Sequence, residues 1–333
     1  MTEEVNMAVD VDHVLRKELE DFAVSLAWGA GSVLMEYFSG TLSANLNIQY
    51  KDKNQKDPVT SADKTTQDYL INEISDKFPE HGILGEEDSK DSGDDALVPD
   101  FLWVLDPLDG TTNFLNGLPI FASSIGLLYK GWPLIAALYI PWPNPRGGFV
   151  LHCHRGGGCY ADDGVVTVYE TAKPVANRLI GLPGYFAQGM RFSKNIKGSP
   201  GELRTTGSIA YELAMTACGI LQYAVIGAPR MWDMLAGALA VQEAGGTIMI
   251  RLPGEKLQEP MGSLYPDYYK GSPTFNQLRN WIGPLIGGNR QLAPLISQSI
   301  HRKSSMRSVV KMTWLNCKHI AAKRAKSKNG NTS

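Results

Sequence analysis

Two carboxylates three residues apart, Asp106 and Asp109, end an apolar segment that begins at Phe101. Pro107 restricts the chain between them, and this spacing can turn both side chains toward one point. Hard cations such as Mg²⁺ bind oxygen ligands of this kind and share them with a substrate phosphate. Residues 110–112, Gly-Thr-Thr, can open a helix whose free N–H groups favour a phosphate. Together these parts predict metal-assisted hydrolysis of a phosphate ester, although the same residues are also common in turns.

Two further acidic positions follow the same logic elsewhere in the chain. The segment 83–88, ILGEED, is a short apolar strand that delivers Glu86. The segment 232–246, WDMLAGALAVQEAGG, places Asp233 at the expected start of a helix that two glycines close. Taken singly, Glu86 fits a solvated loop acid and Asp233 fits a helix N-cap. Their occurrence with the paired aspartates, in this order, favours one shared acidic site.

These segments resemble the signatures of the inositol monophosphatase family, a group of Mg²⁺-dependent, lithium-sensitive phosphatases related to fructose-1,6-bisphosphatase. GEED, DPLDGTTNF and WDMLAGALAVQEAGG resemble three signatures, and DPVTSADK at 57–64 resembles a fourth. The resemblance runs from about residue 13 to about residue 301, and GGNRQL at 287–292 looks like the family's closing helix. It implies an α/β (α+β) fold, a layered α-β-α-β-α sandwich with the site between two halves, and a homodimer.

The resemblance also implies metal-binding roles for particular oxygen donors. The donors to two Mg²⁺ ions would be Glu86, Asp106, the backbone carbonyl of Leu108, Asp109 and Asp233. Asp106 would be shared by both ions, and Asp63 would lie near a third, weaker position. The predicted cofactor is therefore Mg²⁺.

Catalytic and substrate contacts follow from the same resemblance. Glu86 and the Thr111 hydroxyl would orient the attacking water, and the Gly110 and Thr111 amides would bind phosphate. Further phosphate or substrate contacts would come from Thr112, Gly207, Ser208 and Asp233. The predicted substrate is a small phosphate monoester, either an inositol monophosphate or a sugar phosphate.

One segment departs from the inositol-specific pattern. Inositol-specific members carry a Glu six or seven residues before the Trp-Asp pair, whereas Val225 and Ile226 stand there in this chain. The nearest charge is Arg230, which has the wrong sign to contact hydroxyls in that way but can attract a second phosphate. Fructose 1,6-bisphosphate is therefore an alternative substrate.

The elements that must position these residues alternate along the chain. We predict helices at 12–38, 61–77 and 208–217, and a polar, mobile loop at 40–60. Strands are predicted at 101–106, 121–129, 133–140, 179–182, 202–205 and 222–226. HCHRGGGC, with Cys153 and Cys159, fits a hairpin better than a zinc site because the spacing of the cysteines is wrong for zinc. This alternation indicates a layered α/β protein.

The 333 residues divide by these motifs into three predicted parts. Residues 1–160 form a half with the metal-binding motifs, and residues 161–301 complete the site. Residues 302–333 form a basic extension that is expected to be solvated and partly disordered. The start of the chain is acidic and no stretch can span a membrane. Four cysteines do not form a disulfide framework, so a cytoplasmic location is expected.

The basic extension, residues 302–333, holds nine Lys and Arg residues and no acid. The formal net charge of the whole chain is −2, and the extension contributes +9, so residues 1–301 have a net charge of −11. Contact with nucleic acid, an anionic membrane or the acidic body of a second copy is open only through this segment. Three interpretations thus stay open: a Mg²⁺-dependent phosphatase, a regulatory RNA- or protein-binding member of the family, and a structural protein with vestigial motifs.

Overall fold

A computed structural model describes residues 11–40, 49–50, 58–87, 95–252 and 259–303. The lysines of the predicted 40–60 loop, residues 88–94 and the basic extension beyond Lys303 lie outside these residues. Among the described residues, no helix has the length and apolar character needed to cross a bilayer.

Two helices form the first layer, α1 (His13–Gly40) and α2 (Ser61–Lys77). Apolar side chains of α1 recur at helical spacing and are fully buried, as at Leu19, Ala23 and Leu26. Helix α2 begins with a capping box in which Thr60 and Asp63 bond each other's backbone N–H groups. This capping fixes Asp63 at the first turn of α2.

The second layer is a seven-stranded sheet in the order β3-β4-β5-β6-β7-β8-β9. Its strands are β3 (Gly82–Gly85), β4 (Phe101–Asp109), β5 (Ala122–Tyr129), β6 (Trp132–Pro141), β7 (Gly148–His154), β8 (Cys159–Ala161) and β9 (Gly164–Val165). Only the β3–β4 pair is parallel within this sheet. Strand β4 is buried along most of its length because elements pack on both faces of the sheet.

The remaining elements complete the sandwich. The second sheet has the order β12-β10-β13-β16-β14-β15. Its strands are β10 (Leu179–Gly181), β12 (Glu202–Arg204), β13 (Leu221–Ile226), β14 (Gly246–Ile250), β15 (Glu259–Pro260) and β16 (Leu285–Asn289). Two short ladders pair β1 (Gln49–Tyr50) with β2 (Pro58–Val59) and β11 (Met190–Phe192) with β17 (Ile300–Arg302). The other helices are α3 (Thr111–Leu115), α4 (Phe186–Gly189), α5 (Lys194–Lys197), α6 (Ile209–Ala217), α7 (Met231–Glu243), α8 (Phe275–Arg279) and α9 (Leu292–Ser299).

Helices α6 and α7 lie between the two sheets, and α9 covers the outer face of the second sheet. The order of layers is α-β-α-β-α, which confirms the predicted fold class. The central core joins side chains from both sheets, such as Val104 and Ile248, with Leu239 of α7. The division into halves at residue 160 stays a prediction.

Most predicted elements agree with the structure to within two or three residues, and β7 and β8 form the predicted hairpin, with Cys153 opposite Cys159. The predicted 40–60 loop is partly wrong, since β1 and β2 form a ladder there. The prediction of a helix at 287–292 is wrong, because residues 287–289 end β16 and α9 begins at Leu292. The buried Asn289 explains this boundary, because its Oδ1 accepts from the N–H groups of Gln291 and Leu292.

Candidate active site

The ends of β3 and β4 bring Glu86 next to Asp106. The two strands are parallel, with Gly85 opposite Leu105, and the Glu86 N–H donates to the Leu105 carbonyl at 3.0 Å. Asp106 is 1% exposed, and its Oδ1 accepts from the Leu108 N–H at 3.0 Å. Two acids therefore leave adjacent strands at the same edge of the sheet, as the sequence predicts.

Asp109 joins the end of β4 to the start of α6. The pairing of β4 with β5 shifts register between Asp106 and Asp109, so the chain bulges between the two carboxylates. Asp109 Oδ2 accepts from Ser208 Oγ at 2.8 Å and from the Ala210 N–H. Ser208 is also the N-cap of α6, accepting from the Tyr211 N–H at 3.2 Å. Ser208 thus contacts a site carboxylate through the same hydroxyl that caps the helix.

Asp233 lies in the first turn of α7, where the helix dipole favours a carboxylate. Its Oδ2 accepts from the Arg230 N–H at 2.7 Å, and Arg230, not Asp233, is the N-cap residue. The Arg230 side chain reaches the Arg279 carbonyl at 3.5 Å, and the Arg279 side chain reaches the Gly85 carbonyl at 3.5 Å. Two arginines therefore connect the start of α7 with the end of β3.

Asp63 and Thr111 meet on the α2 side of the site. Asp63 Oδ2 accepts from Thr60 N at 2.8 Å and Thr60 Oγ1 at 2.6 Å. Thr111 Oγ1 lies 3.4 Å from Asp63 Oδ1 and 3.1 Å from the Leu108 carbonyl oxygen. The Thr111 hydroxyl is therefore linked to two of the predicted metal-site residues.

Gly110 begins α3 in the left-handed conformation, with φ of +93°. A Cβ atom there would lie 3.0 Å from both the Ile120 carbonyl oxygen and the Ser208 Cβ. Only glycine fits this turn without strain. Thr112 and Gly207, which are predicted to contact the phosphate or the substrate, are both exposed.

Two positioning residues were missed by the sequence reasoning. Asn113 Nδ2 donates to the carbonyls of Ile120 and Thr206, each at 2.7 Å. The buried Glu212 accepts from the Thr206 N–H at 3.0 Å and the Thr206 hydroxyl at 2.9 Å. Both hold the segment before Ser208 against the Gly110 turn. Asn113 donates to backbone carbonyls, and Glu212 bonds to Thr206 six residues earlier, across the turn before α6, so no sequence motif signals either contact.

The site acids share one unfavourable electrostatic environment. Burial raises the pKa of Asp106 well above its usual range, and the charges of Glu86, Asp109 and Asp233 raise it further. Burial also raises the pKa of Asp109 to about 7, against hydrogen bonds from Ser208 and Ala210 that lower it. The pKa of Asp233 is raised by burial and by Asp109, with Arg230 opposing. The fold therefore gathers these four carboxylates without enough positive charge to balance them.

The chemistry of these donors fits Mg²⁺, which takes carboxylate and carbonyl oxygens. In this conformation no three His, Cys, Asp or Glu side chains of the described residues already enclose an ion position. Carboxylate oxygens of four site acids are instead bonded to protein donors, as Asp106 is to Leu108 N and Asp233 is to Arg230 N; the four are Asp63, Asp106, Asp109 and Asp233. The donor types fit the metal, and the arrangement is not a preassembled cage.

The layered α-β-α-β-α sandwich, with acids at strand ends and helix starts, places the protein in a class of layered α/β phosphatases. Within this class, the inositol monophosphatase family model matches residues 15–275, and the chain belongs to that family. Members of the family are phosphoric monoester hydrolases.

Three relatives illustrate the range of the family. The chain is 30% identical to the fructose-1,6-bisphosphatase/inositol-1-monophosphatase of Aquifex aeolicus, over 85% of this chain and 95% of that protein. It is 35% identical to the Nus factor SuhB of Salmonella typhimurium, over 68% of this chain and 82% of the relative. The crystal structure of the extragenic suppressor protein suhB from Bartonella henselae superposes with a TM-score of 0.60 at 26% identity, covering 82% of this chain and 95% of that one.

Proposed function

We propose that this protein is a Mg²⁺-dependent phosphatase that hydrolyses a small phosphate monoester, either an inositol monophosphate or a sugar phosphate. One observation carries the proposal, namely the cluster of four carboxylates, Glu86, Asp106, Asp109 and Asp233, at one edge of the sheet. Burial and neighbouring negative charges raise the pKa values of Asp106, Asp109 and Asp233 within it. A buried acid cluster of this kind is stabilised when cations enter it. The family membership supplies the reaction class.

The proposed ligands are those that the sequence predicts: Glu86, Asp106, the Leu108 carbonyl, Asp109 and Asp233, with Asp63 near a third, weaker position. Mg²⁺, when bound, neutralises the phosphoryl oxygens and favours ionisation of the attacking water. The protein needs no covalent nucleophile for this reaction.

Side chains and backbone amides of the protein are proposed to orient the attacking water and to bind the phosphate. Thr111 Oγ1 donates toward Leu108 or Asp63, which leaves its lone pairs to accept a proton of the attacking water. Glu86 is proposed as its partner in orienting that water. The amides of Gly110 and Thr111 are proposed to bind the phosphate, with Thr112, Gly207 and Ser208 farther along the substrate.

The proposal is tested by phosphate release from a panel of esters with Mg²⁺ and with a chelator. Turnover should require the divalent cation, and full turnover in chelator would refute the metal assignment. Lithium is proposed to inhibit by occupying the position near Asp63. Rates that stay constant in lithium, at fixed Mg²⁺, would refute that part alone. The homodimer and the cytoplasmic location remain predictions.

A bisphosphorylated sugar is the second candidate substrate, and Arg230 favours it. Its guanidinium lies at the start of α7 beside Asp233, where a second phosphate would find a positive charge. The name of the Aquifex relative joins both activities. Val225 and Ile226 are buried in β13 and offer no polar contact to inositol hydroxyls.

The choice is decided by kcat/KM for inositol 1-phosphate, fructose 1,6-bisphosphate and glycerol phosphate. We expect no clear preference for inositol 1-phosphate, and a preference above roughly a hundredfold would show that another residue supplies the polar contact. Arg230→Ala should lower kcat/KM for the bisphosphate roughly tenfold and leave glycerol phosphate unchanged. Arg146→Ala, which removes an exposed arginine, is the matched control. An equal loss on both substrates would assign Arg230 a structural role.

A further inference from the structure

A concave groove lies beside the second sheet and shares no residue with the proposed active site. Its volume is about 630 Å³, which is within the range of ligand-binding clefts. It is formed by α4, β11, the start of α5 and the end of the chain around β17. The lining residues are Phe186, Ala187, Met190, Arg191, Phe192, Ser193, Lys194, His301 and Lys303.

The rim of the groove is basic. Arg191 and His301 are directly opposite in the β11–β17 ladder, and both side chains are exposed. Lys194 and Lys303 add two more basic side chains, and the described residues that line the groove include no acid. Residues 1–301 carry −11 in total, so this rim is a local positive exception on an acidic body. Its charge fits an anionic ligand.

The floor of the groove is apolar and aromatic. Phe186 and Phe192 lie with ring centroids 4.9 Å apart and planes tilted by 39°. Phe186 is buried, whereas Phe192 and Met190 are partly exposed. A ligand that combines negative charge with flat apolar groups would use both the rim and the floor.

The groove lies where the basic C-terminal extension begins, so further positive charge follows it along the chain. Arg302 and Lys303 follow the strand residues that line the rim, and residues 304–333 add seven Lys and Arg and no acid. Lys303 is held at the groove because its backbone N–H donates to the Gly189 carbonyl at 2.9 Å and its Nζ to the Ala187 carbonyl. The basic extension therefore starts at the groove rim, which favours a long polyanion over a single small anion.

We propose that the groove binds single-stranded nucleic acid that crosses the edge of the β11–β17 ladder. A base contacts Phe192 and a phosphate contacts Lys194, and a further phosphate contacts Arg191 on the other face, because neighbouring strand residues point to opposite faces. Stacking platforms beside basic rims are the means by which proteins bind single strands without reading sequence. A membrane surface would not enter a concave groove, and an acidic protein surface would not require an aromatic floor. This role is separate from the proposed phosphatase activity, which uses none of these residues.

The test is fluorescence anisotropy of the full-length protein with a labelled oligouridylate of about 12 nucleotides. The double variant Arg191→Ala/Lys194→Ala should bind at least tenfold more weakly at low salt. The plot of log affinity against log salt should become shallower by about 1.4, since each phosphate contact on a single strand contributes about 0.7. Phe192→Leu should weaken binding roughly tenfold and leave the salt slope unchanged. The matched control, Lys173→Ala/Lys270→Ala, removes two exposed lysines elsewhere and should bind as the wild type does.

Three results would overturn the proposal. The first is no binding by the wild type at low salt, and the second is equal losses in the groove and control variants. The third is salt-reversible binding of the wild type to phosphatidylserine vesicles, or self-association in sedimentation, without oligonucleotide binding. Phosphatase turnover, measured on the same preparations, should be equal in all variants and shows that each is folded.

Discussion

Two acids of this protein, Asp106 and Glu20, are about equally buried, but their pKa values are shifted in opposite directions. Asp106 is 1% exposed and Glu20 is 2% exposed. Burial raises the pKa of Asp106, and the neighbouring acids raise it further. Burial would also raise the pKa of Glu20, but hydrogen bonds from His152 and His154 outweigh it and lower the pKa to about 2.

The difference lies in the cations that the fold supplies. Glu20 of α1 accepts from His152 Nδ1 at 2.6 Å and His154 Nδ1 at 2.8 Å on β7, and from Lys17 Nζ at 3.3 Å. His152 Nε2 also lies 2.9 Å from the Asp162 carbonyl oxygen, so both ring nitrogens face acceptors, an arrangement that favours the doubly protonated ring. The Glu20 cluster thus carries its own cation. The charge of the Asp106 cluster, which comprises Asp106 with Glu86, Asp109 and Asp233, is not balanced in this way, and this supports the metal-binding role proposed for it.

The largest effect is expected for Asp106→Asn. Turnover should fall at least about a hundredfold, because the position proposed to join two ions loses its charge. Asn keeps an acceptor for the Leu108 N–H, so the metal-free protein should melt at the same temperature or higher. Turnover and thermal unfolding in chelator check both parts. Asp100→Asn, an exposed acid before the same strand, should change neither.

Glu20→Gln should reverse this pattern. Removing one partner of a buried ion pair should lower the free energy of unfolding by about 3 kcal/mol. At temperatures where the variant is folded, kcat/KM should equal that of the wild type, because α1 contributes no proposed site residue. Glu18→Gln, on the exposed face of the same helix, should cost less than about 0.5 kcal/mol. A turnover loss in Glu20→Gln that exceeds its loss of folded protein would contradict the separation of the two clusters.

The stability difference between wild type and Glu20→Gln should depend on pH with a defined sign. The lowered pKa of Glu20 contributes stability above about pH 4.5, the unfolded value, and this contribution is lost as the pH falls toward 2. Burial lowers the pKa of His152, but the bond to Glu20 outweighs it and the pKa is raised. The stabilisation by His152 is complete below about pH 6.5, the pKa of the unfolded state, and is lost as the pH rises through the higher pKa of the folded state.

Urea unfolding of the wild type and of Glu20→Gln at several pH values therefore measures how much the ion pair between Glu20 and His152 contributes to stability. The difference in unfolding free energy should be largest between about pH 4.5 and 6.5 and should shrink on both sides. A difference that is constant from pH 3 to pH 9 would show that packing, and not the ion pair, holds α1 against β7.

The sequence predicts the Asp106 cluster far better than the Glu20 cluster. Asp106 and Asp109 are close in the chain and follow an apolar strand, so local pattern and family resemblance both locate them. Glu20 and His152 lie far apart, and nothing in either segment shows that α1 crosses β7 at that point. The prediction of a helix at 287–292 was wrong for a similar reason. The position of Asn289, which ends β16 and precedes α9, depends on hydrogen bonds from its Nδ2 to the distant carbonyls of Tyr169 and Thr171.

The smallest effect on the site is expected for Ser208→Ala. This change removes the hydroxyl that caps α6 and donates to Asp109, which should cost about 1 kcal/mol of stability. Turnover should fall roughly tenfold because Asp109 Oδ2 loses the hydrogen bond from Ser208 and keeps the one from the Ala210 N–H. Ser25→Ala, on the exposed face of α1, is the control for both readouts. Unchanged turnover would show that the Ala210 N–H alone holds Asp109.

The most direct test of the unbalanced carboxylates is the thermal midpoint with Mg²⁺ and with chelator. Mg²⁺ at a hundred times its dissociation constant should stabilise the wild type by about 2.7 kcal/mol, and Glu20→Gln should gain the same amount. Asp106→Asn should gain little at that concentration. Equal stabilisation of Asp106→Asn, or no stabilisation of a catalytically active wild type, would contradict the claim that these acids hold the metal.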